Sequence, residues 1–313
     1  MSNLSAKNNI GGMWMRIVTR PDFDGIVCAV LLSDVLADET PIKWAEPNAV
    51  QNGLVEIKKG DIIANLAYNK NCSLWFDHHL SNRITHPFEG AYHIAPSAAR
   101  VVFDYYKGKF KNDYTELVSA TDKIDSAALS LEEVFHPENY TYISLDMTIN
   151  CQNTADEPYW NRLVELLGNH DIEQVVNDEE IKRRIKDAVL KNKEYVRHLK
   201  DYSTQEKNVS ITDFRPLKKA PSGNRFLVFC LFPETNVNIK IRYHNTDRDK
   251  VIVSIGHSIL NRSCKVNSGK ICSGFGGGGH KGAGSCSFPA AQAEKNITTI
   301  LKILLQNKKE KDL

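Results

Sequence analysis

The feature that most constrains this sequence is a short acidic turn, Arg20-Pro21-Asp22-Phe23-Asp24-Gly25, set between two apolar runs. The run before it, Trp14-Met15-Arg16-Ile17-Val18, has the length of a buried strand, and the run after it, residues 26–36, that of a helix. Strand, turn and helix in that order open an α/β sheet, and in such sheets ligands gather at the carboxyl ends of the strands. Asp22 and Asp24 are thus aimed at the functional edge, where an extended turn lets both face one cation. The plainer alternative is that Asp24 caps the helix while Asp22 is solvated.

Further strands are expected at Ile42-Lys43-Trp44-Ala45, Ile62-Ile63-Ala64-Asn65-Leu66 and Cys72-Ser73-Leu74-Trp75-Phe76. Helices are expected at residues 97–106 behind a Ser97 cap, at residues 114–121 and around residues 160–167. Alternating strands and helices predict an α/β domain with a mostly parallel sheet. Residues 178–202 are highly charged, with Ile181, Ile185, Val189, Tyr195, Val196 and Leu199 near helical spacing, which suits a connecting helix. Beyond it come short β-rich runs, among them Arg225-Phe226-Leu227-Val228-Phe229, Ile239-Lys240-Ile241-Arg242-Tyr243 and Val251-Ile252-Val253-Ser254-Ile255, and a last amphipathic helix over residues 290–306. The division expected is residues 14–178, a connecting helix over 179–204, and a smaller α/β domain over 205–308, with a cleft between the domains.

Bulk properties narrow the class. A chain of 313 residues with 42% hydrophobic content suits two cores. A formal net charge of +2 leaves affinity for nucleic acid to a local basic patch. Seven cysteines without a C-x-x-C pair argue against a disulfide framework or a cysteine-bound zinc, and for reduced thiols in the cytoplasm. The polar start and the short apolar runs predict neither a signal peptide nor a membrane span.

Three further constellations carry chemistry. Asp77-His78-His79 directly follows a strand ending at Phe76, and a carboxylate with two imidazoles suits manganese, magnesium or zinc. In Ala120-Thr121-Asp122-Lys123-Ile124-Asp125-Ser126, Asp122 is the candidate to complete a metal shell, and Asp125 is the better cap. In Gly274-Phe275-Gly276-Gly277-Gly278-Gly279-His280-Lys281, consecutive glycines let backbone amides approach an anion, with His280 and Lys281 supplying charge. The loop comes too late, and is followed by too strand-like a stretch, for a dinucleotide fold. It also lacks the Ser or Thr of a Walker loop.

In this order the four constellations resemble the DHH phosphoesterases, with an Asp-x-Asp turn, an Asp-His-His triplet, a later Asp and a C-terminal associated domain ending in Gly-Gly-Gly-His. The likeness runs over residues 14–288, and the group of relatives nearest in size is the nanoRNase and exopolyphosphatase-related one. It implies manganese or magnesium ions at the sheet edge, with Asp22 holding one and Asp24, His78 and Asp122 the other. It implies that Asp77 supports His78, that His79 faces the phosphate, and that Arg262, Gly278, Gly279 and His280 bind substrate phosphate. Two ions about 3.5–4 Å apart would then stabilise the attacking and leaving oxygens.

Two positions depart from that pattern. Val18 stands where the family has a histidine. Asn65 stands at the strand end where it has a bridging aspartate, and Asp61, at the strand's beginning, could serve only if the strand were displaced. One ion instead of two is therefore an open expectation. The function expected is a cytoplasmic metal-dependent hydrolase acting on a short single-stranded oligonucleotide, a cyclic dinucleotide or another small nucleotide ester, with a homodimer as a candidate assembly. The alternative is a nucleotide- or phosphate-binding homologue that has lost catalysis. Phe275, Tyr243 and Phe214 are the candidates for base stacking.

Overall fold

The structure is a computed structural model that describes residues 9–10, 13–36 and 40–309. The polar residues 1–8, read above for the absence of a signal peptide, lie outside the described residues. The chain divides into two compact units, residues 1–128 with 138–185, and residues 129–137 with 186–313.

The first unit is built on five parallel strands, β1 (Arg16–Thr19), β2 (Ile42–Trp44), β3 (Asp61–Ala64), β4 (Leu74–Asp77) and β5 (Gly90–Tyr92), in the order β2-β1-β3-β4-β5. Apolar residues alternate between two buried faces, as in a sheet covered on both sides. Ile17, Ile62 and Phe76 enter one core, and Val18, Ile63 and Trp75 the other. The first core is filled by α1 (Phe23–Leu36), whose first ten residues are buried, and by α2 (Ala98–Tyr105) and α3 (Thr115–Asp125). As expected, Ser97 caps α2, its hydroxyl accepting the Arg100 N–H. Further helices include α4 (Thr141–Asp146) and α5 (Glu157–Asn169).

A single 24-residue helix, α6 (Glu179–Tyr202), begins in the first unit and ends in the second. The second unit carries a mostly antiparallel six-stranded sheet of β6 (Ser203–Glu206), β7 (Val209–Asp213), β8 (Val237–Tyr243), β9 (Lys250–His257), β10 (Gly278–His280) and β11 (Ala283–Pro289), ordered β10-β11-β9-β8-β7-β6. One face packs on the closing helix Ala293–Gln306 through Val237, Ile239, Ile241, Val253 and Ile300.

The run at residues 225–229, expected as a strand, is a helix, Leu227–Leu231. A continuous apolar run does not distinguish the two states by period. Here Leu227, Val228 and Phe229 bury together against Val134, Tyr195 and Phe214, which a helix permits and an alternating strand does not. Among the described residues no helix is long and apolar enough to cross a membrane.

Candidate metal centre

The strand-to-helix turn after β1 divides its two acids between different tasks. Asp22 takes the capping role, its Oδ1 accepting the Gly25 N–H at 2.9 Å. Asp24 lies in the first turn of α1 and is 2% exposed. Its carboxylate accepts the Ala98 and Ala99 N–H groups at 2.9 and 2.8 Å, at the amino end of α2, where the helix dipole favours negative charge. The alternative, a capping Asp24 beside a solvated Asp22, is thus reversed.

His78 follows β4. Its Nδ1 lies 3.0 Å from the Ala95 carbonyl oxygen, which places the ring proton there and leaves the Nε2 lone pair free. Nε2 is buried, has no hydrogen-bond partner among the described residues, and lies 3.8 Å from Asp24 Oδ2 and 3.4 Å from Asp125 Oδ2. The three donor atoms of Asp24, His78 and Asp125 fall within 4.8 Å of one another. Burial, Asp125 and Asp22 push the Asp24 carboxyl well above its ordinary range, and burial is the main cause of the rise at Asp125. Crowded carboxylates beside an unprotonated imidazole nitrogen are a donor set that fits one divalent cation.

The residue that completes this set is Asp125, not Asp122. The two are three residues apart on α3 and so lie on adjacent lines of the helix surface. Arg100 grips Asp122 Oδ2 with Nε and Nη2 at 2.9 and 2.7 Å, and the Ser97 hydroxyl donates to Oδ1 at 2.7 Å. Asp122 is consumed in tying α3 to the start of α2. Asp125, expected as a cap, is instead the last residue of α3 and faces His78.

Asp77 supports the other imidazole of the pair. Its Oδ1 lies 2.8 Å from His79 Nδ1 and also accepts the His78 and His79 backbone N–H groups, while Oδ2 accepts from Asn82. It is fully buried with both oxygens occupied, so it orients His79 and leaves His78 to the Ala95 carbonyl. Bonding to Asp77 raises the His79 pKa.

The remaining predicted positions are placed plainly. Val18 is fully buried in an apolar layer. Asp61 opens β3 and is held by Arg16 at 2.6 and 2.9 Å, far along the strand from the site edge. Asn65 lies just past the end of β3, at φ 57°, donating from Nδ2 to Asp22 Oδ1 at 2.9 Å.

Sequence reasoning passed over Asp146. It ends α4 without any motif, and burial, Asp22 and Asp125 push its carboxyl up to about 7. Its only sequence signal is a carboxylate following the buried Ile143-Ser144-Leu145.

In the second unit the glycine loop is not a linker. Gly278–His280 pairs with Ala283–Pro289. A β-carbon on Gly277 would stand 2.1 Å from the Ser285 carbonyl oxygen, and Gly279, at φ +144°, would meet Ala283 O at 2.3 Å. Tight backbone packing therefore demands these two glycines, and Gly278 and His280 are exposed. Arg262 lies in an exposed turn, its Nε donating to the Ile259 carbonyl. The stacking candidates all pack inward: Phe214 belongs to one core, and Phe275 and Tyr243 to the edge of another.

A second group escaped the sequence reading. The register places Gly278, Ser285, Ser254, Lys240 and Thr212 directly opposite one another across five strands, so they share a face. Lys240 and Gly278 are separated by three strand spacings, roughly 14 Å. Among the described residues Lys240 makes no ion pair, and burial, Arg242 and Arg225 lower its pKa. The alternation Asn238, Lys240, Arg242 along β8 was its signal.

No family model matches the sequence, and a search of curated proteins finds no match. Solved structures do match. A pGpG-specific phosphodiesterase, PggH from Vibrio cholerae, superposes with a TM-score of 0.83 at 28% identity, over 94% of this chain and 100% of that one. An exopolyphosphatase-related protein from Bacteroides fragilis gives 0.52 at 12% identity, over 93% and 92%. RecJ from Thermus thermophilus in complex with Mn2+ gives 0.58 at 12%, over 93% of this chain and 52% of that one. The last two likenesses show the fold alone.

A parallel sheet with carboxylate and imidazole donors at its strand ends, followed in the chain by a mostly antiparallel unit with a glycine-histidine hairpin, defines a two-domain phosphoesterase fold. The chain shares the fold of these proteins, in keeping with the resemblance to the DHH phosphoesterases carried by its motifs.

Proposed function

We propose that this chain is a divalent-metal-dependent phosphodiesterase that cleaves short linear nucleotides, with pGpG the first substrate to test. The observation that carries the proposal is the buried His78 Nε2, without a hydrogen-bond partner among the described residues, set between the Asp24 and Asp125 carboxylates. The choice of substrate is supported by the likeness to a pGpG-specific phosphodiesterase over 94% of this chain.

Asp24, His78 and Asp125 would hold the cation, and one imidazole among oxygens suits Mn2+ better than Mg2+, which favours all-oxygen surroundings. When bound, such a cation polarises a phosphoryl oxygen and acidifies water. His79, kept in orientation by Asp77 and favoured in its protonated form, holds a proton at Nε2 for the leaving-group oxygen. In the second unit Arg262, Gly278, Gly279 and His280 bind phosphate, and Lys240 adds an uncompensated cation on the same sheet face as Gly278.

The test is to load metal-free protein with Mn2+ and follow GMP release from pGpG, with cyclic dinucleotides, short oligonucleotides and polyphosphate alongside. GMP is expected from pGpG, with Asp24→Asn and His78→Ala each slowing it by about 10³-fold or more. Hydrolysis that survives both substitutions without metal sinks the mechanism. The second reading, a binding homologue without turnover, draws on Val18 and Asn65 at two family ligand positions. Loaded protein that binds pGpG and never cleaves it would establish that reading.

A further inference from the structure

The resemblance seats a first ion on Asp22, yet the surroundings of Asp22 do not suit one. Arg20 Nη1 lies 3.0 Å from Asp22 Oδ2. The other oxygen, Oδ1, accepts from Asn65 Nδ2 and from the Gly25 N–H, both at 2.9 Å. Both oxygens already have donors, and an arginine provides the counter-charge.

The two neighbouring positions agree. Val18 is fully buried in an apolar layer with Ile63 and Trp75 and has no lone pair to offer. Asn65 is 2% exposed, and its amide must turn NH2 toward Asp22, because the reverse would set a carbonyl oxygen against a carboxylate. What Asn65 leaves open is a neutral oxygen, Oδ1, which has no hydrogen-bond partner among the described residues.

Charge connects these positions. A dication held by two carboxylates and an imidazole is neutral in sum. Here a guanidinium 3.0 Å from Asp22 and 4.0 Å from Glu46 supplies the positive charge, with an amide and a valine in the other two places. Removing the bridging carboxylate while keeping a dication would leave an excess positive charge, and keeping the carboxylate beside Arg20 without the dication would leave an excess negative one.

We propose that Arg20 has taken over the first ion position, so that the centre holds one divalent cation, at Asp24, His78 and Asp125, with a permanent organic cation beside it. The inference rests on the metal-dependent reading above. Guanidinium keeps its proton at any physiological pH, so this positive charge does not depend on metal supply. The Arg20 side chain is 33% exposed, which leaves donors for a non-bridging phosphate oxygen of the substrate.

The experiment counts ions. Metal-free, full-length protein is brought to equilibrium with Mn2+ by dialysis, bound metal per chain is measured, and the electron paramagnetic resonance spectrum is recorded. One ion with an uncoupled spectrum is expected for the natural chain and for Arg20→Lys. The double variant Arg20→Ala, Asn65→Asp, which restores a carboxylate and removes the competing cation, should bind two ions with an exchange-coupled spectrum. Should that variant not fold, Asn65→Asp alone should tighten uptake of a second ion by at least about tenfold. Two coupled ions in the natural chain overturn the inference and leave the metal-dependent reading intact. A folded variant that still binds one ion also overturns it. No ion in the natural chain removes the metal-dependent reading itself, so the two failures are distinct.

Discussion

His78 Nε2 lies 3.4 Å from Asp125 Oδ2, and this contact decides which acid of α3 serves the centre. Asp122, three residues earlier, is locked to Arg100 and Ser97. The two acids should therefore separate cleanly by experiment. Asp125→Ala is expected to weaken Mn2+ binding by about 100-fold or more, with little change in stability. Asp122→Ala should instead cost about 1–2 kcal/mol by chemical denaturation, because Arg100 loses its two-pronged partner and keeps only the longer contact to Asp104, and should leave the ion count unchanged. Equal effects of the two changes on metal affinity would contradict the assignment.

Asp77 holds His79 at 2.8 Å through Nδ1, which orients the ring and fixes its tautomer. Asp77→Asn keeps the shape but weakens that hold. A fall of about 10- to 100-fold in kcat with a nearly constant KM is expected from steady-state kinetics. A change confined to KM would place His79 in binding alone.

Asp146 provides a test of stability against pH in the presence of a chelator. Its folded-state pKa, about 7, lies above the unfolded value near 3.8, so the folded chain holds the proton more tightly. Stability should therefore fall as pH rises from about 4 to 7. Asp146→Asn should stabilise the fold at pH 8 by on the order of 2 kcal/mol, seen as a raised melting temperature, and the gain should shrink as pH drops below 7. A gain independent of pH would mean that the charge on Asp146 is not its source.

Lys240 carries a positive charge without an ion pair among the described residues, on the sheet face shared with Gly278. Lys240→Met keeps the length of the side chain and removes the charge. Calorimetry should show pGpG affinity weakened by roughly tenfold and its salt dependence reduced, with the melting temperature unchanged or raised. Unchanged affinity and salt slope would remove Lys240 from the phosphate-binding group.

Much of this protein was determined by local chemistry that a sequence displays. Short apolar runs alternating with helical segments set the parallel sheet, and the acids and imidazoles that follow β1 and β4 lie at its ligand edge because strand ends in such sheets point there. Val18 and Asn65 announced in advance that the region around Asp22 differs from the family pattern. Tertiary structure decided the finer assignments. Asp122 and Asp125 look alike in a string of letters, and only the packing of α3 against α2 gives one to Arg100 and the other to His78. Asp77 and its two histidines are contiguous, but a carbonyl at Ala95, seventeen residues on from His78, selects which ring turns its free nitrogen toward Asp24 and Asp125. The pairing of Arg20 with Asp22, the burial of Asp146 and the alignment of Lys240 with Gly278 depend on where the chain passes in space, since a charge's role is set by the groups within a few ångströms of it.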